Sequence, residues 1–328
     1  LGVVAASTGS IIGAGFQNPV IVVAVALIFV LMGLSLAGLF ETFLSIFDSD
    51  LFLFYEAFNY EPLRQAHEAV FGQPVIPRYD LRDCDYVISF GADFLESWIS
   101  NVEFAYQFSE MHGYREGRLG DYAYVGPRLS MTAANADEIF HVPQGVEVLF
   151  ALAMLKAVRE EGRTKQDLAF LDEPLNQIDL RPLHKHVPEH KIKEAARSFS
   201  QAKASVALAG PVGASGPPAR NLAAAAALLN AAAGRVGQTV HLSRPHALSR
   251  TASHDELERF LEALGPEDVL IIHEADPLYS RPDVRDRLRQ AGTIVYLGTM
   301  FTETAALADW VLPLDSPYES WEIGRAHV

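Results

Sequence analysis

The chain has 328 residues and a mass of 36.0 kDa, which is enough for two domains of ordinary size. With 49% hydrophobic and 20% charged residues it is not a disordered chain, and its net charge of −15 argues against a nucleic-acid partner bound through phosphates. Cys84 is its one cysteine, so the chain supplies neither an internal disulfide nor the ligands of an iron–sulfur cluster.

The N-terminal part of the chain is uncharged. Residues 1–40 contain no Asp, Glu, Lys, Arg or His, and residues 20–40 form an apolar run of 21 residues. A helix of that length crosses a hydrocarbon core about 30 Å thick, so we interpret residues 1–41 as a fragment of a transmembrane helical segment that contacts the lipid bilayer through residues 20–40. A signal peptide and a buried helix of a soluble protein are the alternatives. Few Lys or Arg residues follow the run, which favours the periplasmic side for the soluble part.

Residues 16–41, FQNPVIVVAVALIFVLMGLSLAGLFE, resemble part of the transmembrane domain of the cytochrome c biogenesis and thiol–disulfide interchange family. The resemblance implies a membrane helix. The paired redox cysteines of that family have no counterpart in this segment, so no thiol chemistry is assigned to it. Residues 42–54 form the predicted junction to the rest of the chain.

After the junction, short apolar runs that predict buried strands alternate with helical patterns. The predicted strands cover residues 86–91, 122–125, 205–208, 239–242, 269–273, 293–297 and 308–312. Helical periodicity at 144–158 and at 222–233 lies between strands. This alternation predicts an α/β fold with two doubly wound, mostly parallel-sheet lobes. Residues 159–201 are polar and charged, so we predict a linker there, between a first lobe at 55–158 and a second lobe at 202–321.

Ligands of doubly wound sheets bind beyond the carboxyl ends of the strands, and several loops at such positions contain glycine, proline or a charged residue. The candidate residues of these loops are Gly91, Ala92, Asp93, Gly126, Pro127, Arg128, Thr132, Gly210, Asp276 and Pro277. Glycine lets the backbone approach a phosphate, and an arginine pairs with a phosphate through two hydrogen bonds. Ordinary turns are the alternative interpretation, because Gly and Pro follow strands in most α/β proteins. The sequence has no Walker loop and no G-x-G-x-x-G after a strand.

Two further features have a structural and a chemical interpretation. We interpret Cys84 as a buried apolar filler, with a metal ligand or nucleophile as the alternative. His184, His186 and His190 form an H-x-H-x3-H pattern. Because Pro188 interrupts any helix that would align them, we interpret the pattern as a solvated linker, with a metal site as the alternative.

Five segments resemble, in the same order, the large subunit of the molybdopterin oxidoreductase (DMSO reductase) family. They are NYEPLRQAHEAVFG at 59–72, YDLRDCDYVISFGADFLESW at 79–98, VGPRLSMTAANADEIFHVPQGVEVLFALAM at 125–154, ADPLYSRPD at 275–283 and TETAALADWVLPLDSPYESW at 302–321. The resemblance is greatest to the branch found in quinone-linked respiratory complexes. It implies a bis-molybdopterin guanine dinucleotide between two pseudo-symmetric lobes.

The resemblance also implies site residues. Those that match family motifs are Gly91, Ala92 and Asp93 for G-x-N; Gly126, Pro127, Arg128 and Thr132 for D-P-R-x-x-x-T; Pro143, Gly145 and Glu147 for P-G-T-D; and Asp276 and Pro277 for N-P. This chain departs from the motifs, with Asp93 and Asp276 in place of Asn, Gly126 in place of Asp, and PQGVE at 143–147 in place of P-G-T-D. A carboxylate removes an amide donor and repels a pyrophosphate.

By resemblance the chain is a fragment of an oxidoreductase large subunit, with electron transfer in a membrane-associated respiratory complex. The implied partners are iron–sulfur and quinone-reactive membrane subunits. A non-catalytic scaffold subunit with a degenerate molybdopterin site is one alternative, and a fragment of a membrane thiol–disulfide protein is another. The family's metal-ligand residue and cluster-binding segment have no counterpart here, so no catalytic residue and no metal ligand is assigned.

Residues 323–328, IGRAHV, resemble the translation of a common sequencing adapter. We therefore interpret residues 322–328 as a tail outside the natural domain. Together with the change of family between residues 41 and 55, the tail indicates a fused or misassembled reading frame. A natural membrane-anchored fusion is the alternative.

Overall fold

A computed structural model of the protein describes residues 52–114, 119–166, 168–211 and 213–316. The predicted membrane segment at 20–40, most of the junction and the tail at 322–328 lie outside the described residues. Among the residues that are described, no helix combines the length and apolar character needed to cross a bilayer. The chain divides into two compact units. The first unit is Glu56–Ser253, and the described residues of the second unit are 52–55 and 254–316.

The first unit is built on a parallel sheet of four strands among its described residues. The strands lie in the order β4 (Glu138–His141), β3 (Asp121–Gly126), β2 (Tyr86–Phe90) and β5 (Ser205–Ala209). All five residues of β2 are buried, as expected for a central strand that is covered on both faces. Beside this sheet, β1 (Arg78–Tyr79) pairs antiparallel with β6 (Val240–His241).

Helices cover both faces of the first sheet. Its described helices are α1 (Glu61–Phe71), α2 (Asn101–His112), α3 (Met131–Ala134), α4 (Glu147–Glu160), α5 (Asp172–Asn176), α6 (Arg181–His184), α7 (Glu189–Gln201) and α8 (Gly216–Ala232). Successive residues of a strand point to opposite faces. Val87 accordingly lies in one hydrophobic core with its ladder partners Tyr122 and Val206, whereas Ile88 lies in the other. Helices α1 and α2 contribute to the first core, α4 and α7 to the second, and α8 to both.

The predicted linker and lobe boundary do not hold. Residues 159–201 contain three of the helices, and α7 buries Ile192, Ala195, Ala196 and Phe199 at the spacing of one helix face. The charged residues of this segment lie on the outer face of the helices, which is why its composition resembles that of a linker. The strand predicted to open the second lobe is β5, which pairs with β2 in the first sheet, so the boundary lies near Ser253.

The second unit contains a smaller parallel sheet, in the order β7 (Val269–His273), β8 (Thr293–Gly298) and β9 (Trp310–Pro313). Its described helices are α9 (His254–Ala263), α10 (Pro277–Ser280) and α11 (Arg285–Leu288). One face of the sheet is packed, with Leu270 and Ile272 buried in a core that includes Leu261 of α9. On the opposite face Val269 is 62% exposed and Ile271 is 57% exposed.

The structure confirms a mixed α/β fold with parallel sheets. Most of the predicted strands are present, one lies outside the parallel sheets, and one observed strand was not predicted. The predicted strand at 239–242 is the short β6, which lies outside the parallel sheet. Strand β4 was not predicted, because it is an edge strand of four residues, begins with Glu138 and ends with His141, and buries only Phe140.

Candidate functional site

The loop after β2 turns sharply and brings an acidic side chain to the edge of the sheet. Gly91 has a φ of 69°, a left-handed conformation that glycine adopts without strain. The hydroxyl of Ser89 donates to the carbonyl oxygen of Ala92 at 2.7 Å. The backbone N–H groups of Glu96 and Ser97 both donate to the carbonyl oxygen of Asp93 at 3.0 Å. The Asp93 side chain is thereby placed at the carboxyl end of β2 and is only 9% exposed.

Three side chains donate to the Asp93 carboxylate, one from β3 and two from the loop after it. Arg128 Nη2 donates to Oδ2 at 2.6 Å, Ser130 Oγ donates to Oδ1 at 2.5 Å, and Tyr124 Oη donates to Oδ1 at 3.3 Å. Burial, and then the charge of Asp93, raise the pKa of Tyr124 to about 12. The same carboxylate raises the pKa of Arg128. Both oxygens of the Asp93 carboxylate therefore accept hydrogen bonds from the protein.

Arg128, the cation predicted to bind a phosphate at the carboxyl edge of the sheet, is already paired with Asp93. The sequence suggested that Arg128 attracts a phosphate and that Asp93 opposes it from a separate loop. In the structure the two side chains form an ion pair, although the Arg128 side chain is 68% exposed. The guanidinium is held at one edge by the buried carboxylate, so its charge is compensated before any ligand binds.

Further bonds connect the loop after β2 to the loop after β3. The N–H of Leu95 donates to Thr132 Oγ1 at 3.2 Å, and the N–H of Thr132 donates to Glu96 Oε2 at 3.4 Å. Ser130 caps the short helix α3 by accepting from the N–H of Ala133 at 3.0 Å. Thr132 therefore lies at the carboxyl edge of the sheet, as predicted, but its hydroxyl accepts a hydrogen bond that connects the loops after β2 and β3. Pro127 lies beside Arg128 and is exposed.

The loop after β5 lines a groove of about 390 Å³. Gly210 has a φ of 103°, and a β-carbon on Gly91 would stand 3.7 Å from the ring of Pro211, so these loops are adjacent. The groove is lined by residues 57–62 and Gln65 on one side and by Pro211 and residues 213–216 on the other. Its volume is that of a small-molecule pocket.

Tyr60 ties one wall of the groove to the loop after β2. Its hydroxyl accepts from the N–H of Ile99 at 2.8 Å and donates to the carbonyl oxygen of Ser97 at 3.2 Å. Tyr60 and Ile99 have φ values of 51° and 52°, which are unfavourable for residues other than glycine and most of all for a β-branched one. Burial raises the pKa of Tyr60. The two strained residues are thus held by one hydroxyl group.

The turn before α4 is closed by a hydrogen bond to its own acidic residue, Glu147. Gly145 has a φ of 87°, and its N–H donates to Glu147 Oε2 at 2.6 Å. Burial raises the pKa of Glu147, which lies at the first turn of α4. Pro143 precedes this turn. The predicted residues Gly145 and Glu147 therefore close a turn, and neither lines the groove described above.

Asp276 and Pro277 belong to the second unit. Asp276 Oδ1 accepts from the hydroxyl and from the N–H of Thr304, the latter at 3.2 Å. The N–H of Leu278 donates in turn to Thr304 Oγ1 at 3.1 Å. Pro277 is buried at the start of α10. Asp276 follows β7 as Asp93 follows β2, and each accepts a hydroxyl hydrogen bond from the loop after the neighbouring parallel strand.

Cys84 is buried, and its thiol donates to the carbonyl oxygen of Asp80 at 3.3 Å. Burial raises the pKa of that thiol, which favours the interpretation as a filler. His184, His186 and His190 are exposed. Among the described residues, no group of three or more His, Cys, Asp or Glu side chains is arranged to hold a metal ion.

Several residues of this edge were not predicted. Tyr124 and Ser130 act through side chains that meet Asp93 only in the folded protein, and Tyr60 lies on a separate segment from its partners. A weak signal exists for Ser130, because Ser is a favoured N-cap residue before a helix. No local signal marks Tyr124 as a partner of Asp93, since Tyr124 lies on β3 and Asp93 lies in the loop after β2.

No protein-family model matches this chain. The fold is shared with acetylene hydratase from Pelobacter acetylenicus, with a TM-score of 0.59 at 15% identity over 79% of this chain and 45% of that one. In sequence, the chain is 23% identical over 280 residues to the menaquinone reductase, molybdopterin-binding-like subunit of Nitratidesulfovibrio vulgaris strain Hildenborough. That alignment covers 79% of this chain and 40% of the relative, so the chain spans less than half of the relative's length.

Proposed function

We propose that this chain is part of a molybdopterin-binding-like subunit of an oxidoreductase complex that exchanges electrons with a quinone. The observation that carries the proposal is the sequence relationship to a menaquinone reductase subunit over 280 residues. The shared α/β fold and the assembly of three strand-end loops at one edge of the first sheet agree with it. The cofactor class indicated by the relative's name is molybdopterin, which supplies the redox chemistry when it is bound.

The residues of the first unit fit such a cofactor only in part. The groove along residues 57–65 and 211–216 has the volume of a small-molecule site, and the buried indole N–H of Trp98, which has no acceptor among the described residues, faces Gly210. The loop after β3 that carries Arg128 and Ser130, called here the Arg128 loop, fits a pyrophosphate poorly. The Asp93 carboxylate accepts from Arg128 Nη2 and from the Ser130 hydroxyl, and it places a negative charge beside both donors. We therefore assign no guanine dinucleotide contact to Arg128.

A second candidate function is a scaffold subunit that keeps the fold without catalysing a reaction. The Asp93–Arg128 ion pair favours it, because it removes the cation from a loop that the family resemblance assigns to the cofactor. In this case the groove and the loops position neighbouring subunits. A third possibility, a membrane thiol–disulfide protein, depends on residues 1–41, which lie outside the described residues.

The implied partners are iron–sulfur and quinone-reactive membrane subunits, and the implied location is the periplasmic side of the membrane. Both are part of the proposal. Purification of the complex through an affinity tag on this chain tests them, with the co-purifying subunits identified by mass spectrometry. We expect at least one iron–sulfur subunit and one integral membrane subunit.

The same preparation distinguishes the two candidate functions. Molybdenum and tungsten are measured by plasma mass spectrometry, and pterin is measured by fluorescence after oxidation. About one equivalent of metal with pterin supports the oxidoreductase subunit, since each such site holds a single metal ion. Quinone activity of the complex without metal or pterin in this subunit supports the scaffold. A chain that purifies without partners and without pterin contradicts both.

A further inference from the structure

The donors of the Arg128 loop are arranged around one negative group. A guanidinium and two hydroxyls, from Arg128, Ser130 and Tyr124, all donate to the carboxylate of Asp93. A cation and hydroxyl donors that converge on one point are the features with which a protein binds an oxyanion such as phosphate. Here the anion is a side chain of the protein itself.

We propose that Asp93 is a built-in anion that closes the Arg128 loop to phosphate groups and so determines which ligands this edge of the sheet accepts. The inference concerns the site of the proposed function, where it predicts weak binding of nucleotide and pyrophosphate groups. The inference depends on the hydrogen bonds of Asp93, which do not require that the subunit binds a pterin.

Two features make Asp93 an effective barrier. Its side chain is only 9% exposed, so the carboxylate cannot turn away into solvent when a ligand approaches. Its two oxygens accept from different groups, Oδ2 from Arg128 and Oδ1 from Ser130 and Tyr124. A phosphate that approaches Arg128 therefore meets the negative charge of Asp93 close to the guanidinium.

The alternative is that the ion pair only holds the two loops together. The structure offers other bonds for that purpose, since Leu95, Thr132 and Glu96 already connect the same loops. An exposed arginine adds little stability to an ion pair. Replacement of Asp93 by Asn keeps the size of the side chain and an oxygen acceptor for Ser130, while it removes the charge that holds Arg128.

The test is a titration of the full chain with inorganic pyrophosphate, followed by calorimetry and by ³¹P line broadening. We expect Asp93→Asn to bind pyrophosphate at least about tenfold more tightly than the wild type, because one repulsive charge is removed and one cation is released. Asp93→Asn combined with Arg128→Ala should lose this gain. The matched control is Asp121→Asn, which removes the same charge from an exposed residue at the amino end of β3 and should bind as the wild type does.

Equal affinity of Asp93→Asn and the wild type, with an unchanged circular dichroism spectrum, overturns the proposal. An equal gain in Asp121→Asn also overturns it, since the effect is then one of net charge. Arg128→Ala alone provides a test that does not depend on the folding of the Asp93 variant, because the Arg128 side chain is 68% exposed. We expect it to leave pyrophosphate affinity unchanged, and a tenfold loss contradicts the proposal. None of these measurements involves pterin or quinone, so they can fail independently of the proposed function.

Discussion

Gly126 lies directly against the ring of Tyr124, and a β-carbon at residue 126 would stand 2.8 Å from a ring carbon of that tyrosine. The absence of a side chain at the end of β3 lets the tyrosine lie along the strand and reach Asp93 with its hydroxyl. The second unit repeats the arrangement, since a β-carbon on Gly298 would stand 2.6 Å from the ring of Tyr296. In each sheet, therefore, an inner strand, β3 or β8, ends in a glycine that follows a tyrosine by two residues.

Gly126→Ala should destabilise the protein. The added β-carbon must displace a buried aromatic ring, and we expect a loss of about 1–3 kcal/mol in the free energy of unfolding. The measurement is denaturant unfolding followed by circular dichroism. Gly265→Ala is the matched control, because a β-carbon there meets its nearest neighbour at 3.6 Å, an ordinary contact. A Gly126→Ala variant as stable as the control contradicts this explanation of the glycine.

Asn230 extends the hydrogen bonding of the sheet beyond its last strand. The side chain of Asn230 is buried, its Oδ1 accepts from the N–H of Ala207 at 2.9 Å, and its Nδ2 donates to the carbonyl oxygen of Ala207 at 2.8 Å. Asn230→Ala leaves both backbone groups of a buried strand without a partner. We expect a loss of about 2–4 kcal/mol in unfolding free energy.

Asn176→Ala, at an exposed asparagine, is the control for this experiment and should change stability by less than about 0.5 kcal/mol. Hydrogen exchange provides a second readout, since the amide of Ala207 should lose protection in Asn230→Ala. Unchanged protection of that amide means that the side chain is not its partner in solution.

Tyr60→Phe removes the one hydroxyl that bonds to Ile99 and Ser97. The N–H of Ile99 then loses its acceptor while the residue keeps its left-handed conformation. We expect a loss of about 1–2 kcal/mol in the free energy of unfolding and faster amide exchange at Ile99. Tyr106→Phe, at an exposed tyrosine on α2, should alter neither quantity. A Tyr60→Phe variant with normal exchange at Ile99 shows that packing alone holds the strained loop.

Stability should fall in alkaline solution. The pKa of Tyr124 is raised from 10 to about 12, so the unfolded chain loses this proton at lower pH than the folded protein does. The folded state is therefore favoured fully below pH 10, and its stability falls as the pH rises from about 10 to about 12. Unfolding free energies measured across this range give the slope. Tyr124→Phe should reduce the slope by about one proton, and an unchanged slope contradicts the assignment.

The predictions made from the sequence are correct where a structural element is visible in a short run of residues. Strands β2 and β3 are apolar runs because central parallel strands are buried, and such runs are visible without a structure. The prediction was wrong where a helix with a buried face has a mostly polar composition. Helix α7 has one buried face and a strongly charged one, so the segment that contains it was interpreted as a linker.

The candidate loops were found at the carboxyl ends of the strands, but their chemistry was not. Asp93 and Arg128 are 35 residues apart, and nothing in their separate sequences indicates that they pair. Which donors surround a carboxylate depends on how the strands are ordered in the sheet. Glu147 is a similar case, since its partner is the backbone of the turn two residues before it.

The position of β5 at the edge beside β2 has a consequence for how the protein is made. The N–H of Ala204 donates to the side chain of Asp85, a residue 119 positions earlier, at the point where the two strands begin to pair. A ribosome adds roughly 5–20 residues per second, so β2 waits roughly 6–24 s for its second neighbour while β3 is already available. During that interval the nascent chain presents an apolar strand with one unpaired edge, the kind of template on which aggregation begins. Of the two edges of β2, the one that β5 covers is therefore exposed for longer during synthesis than the one that β3 covers.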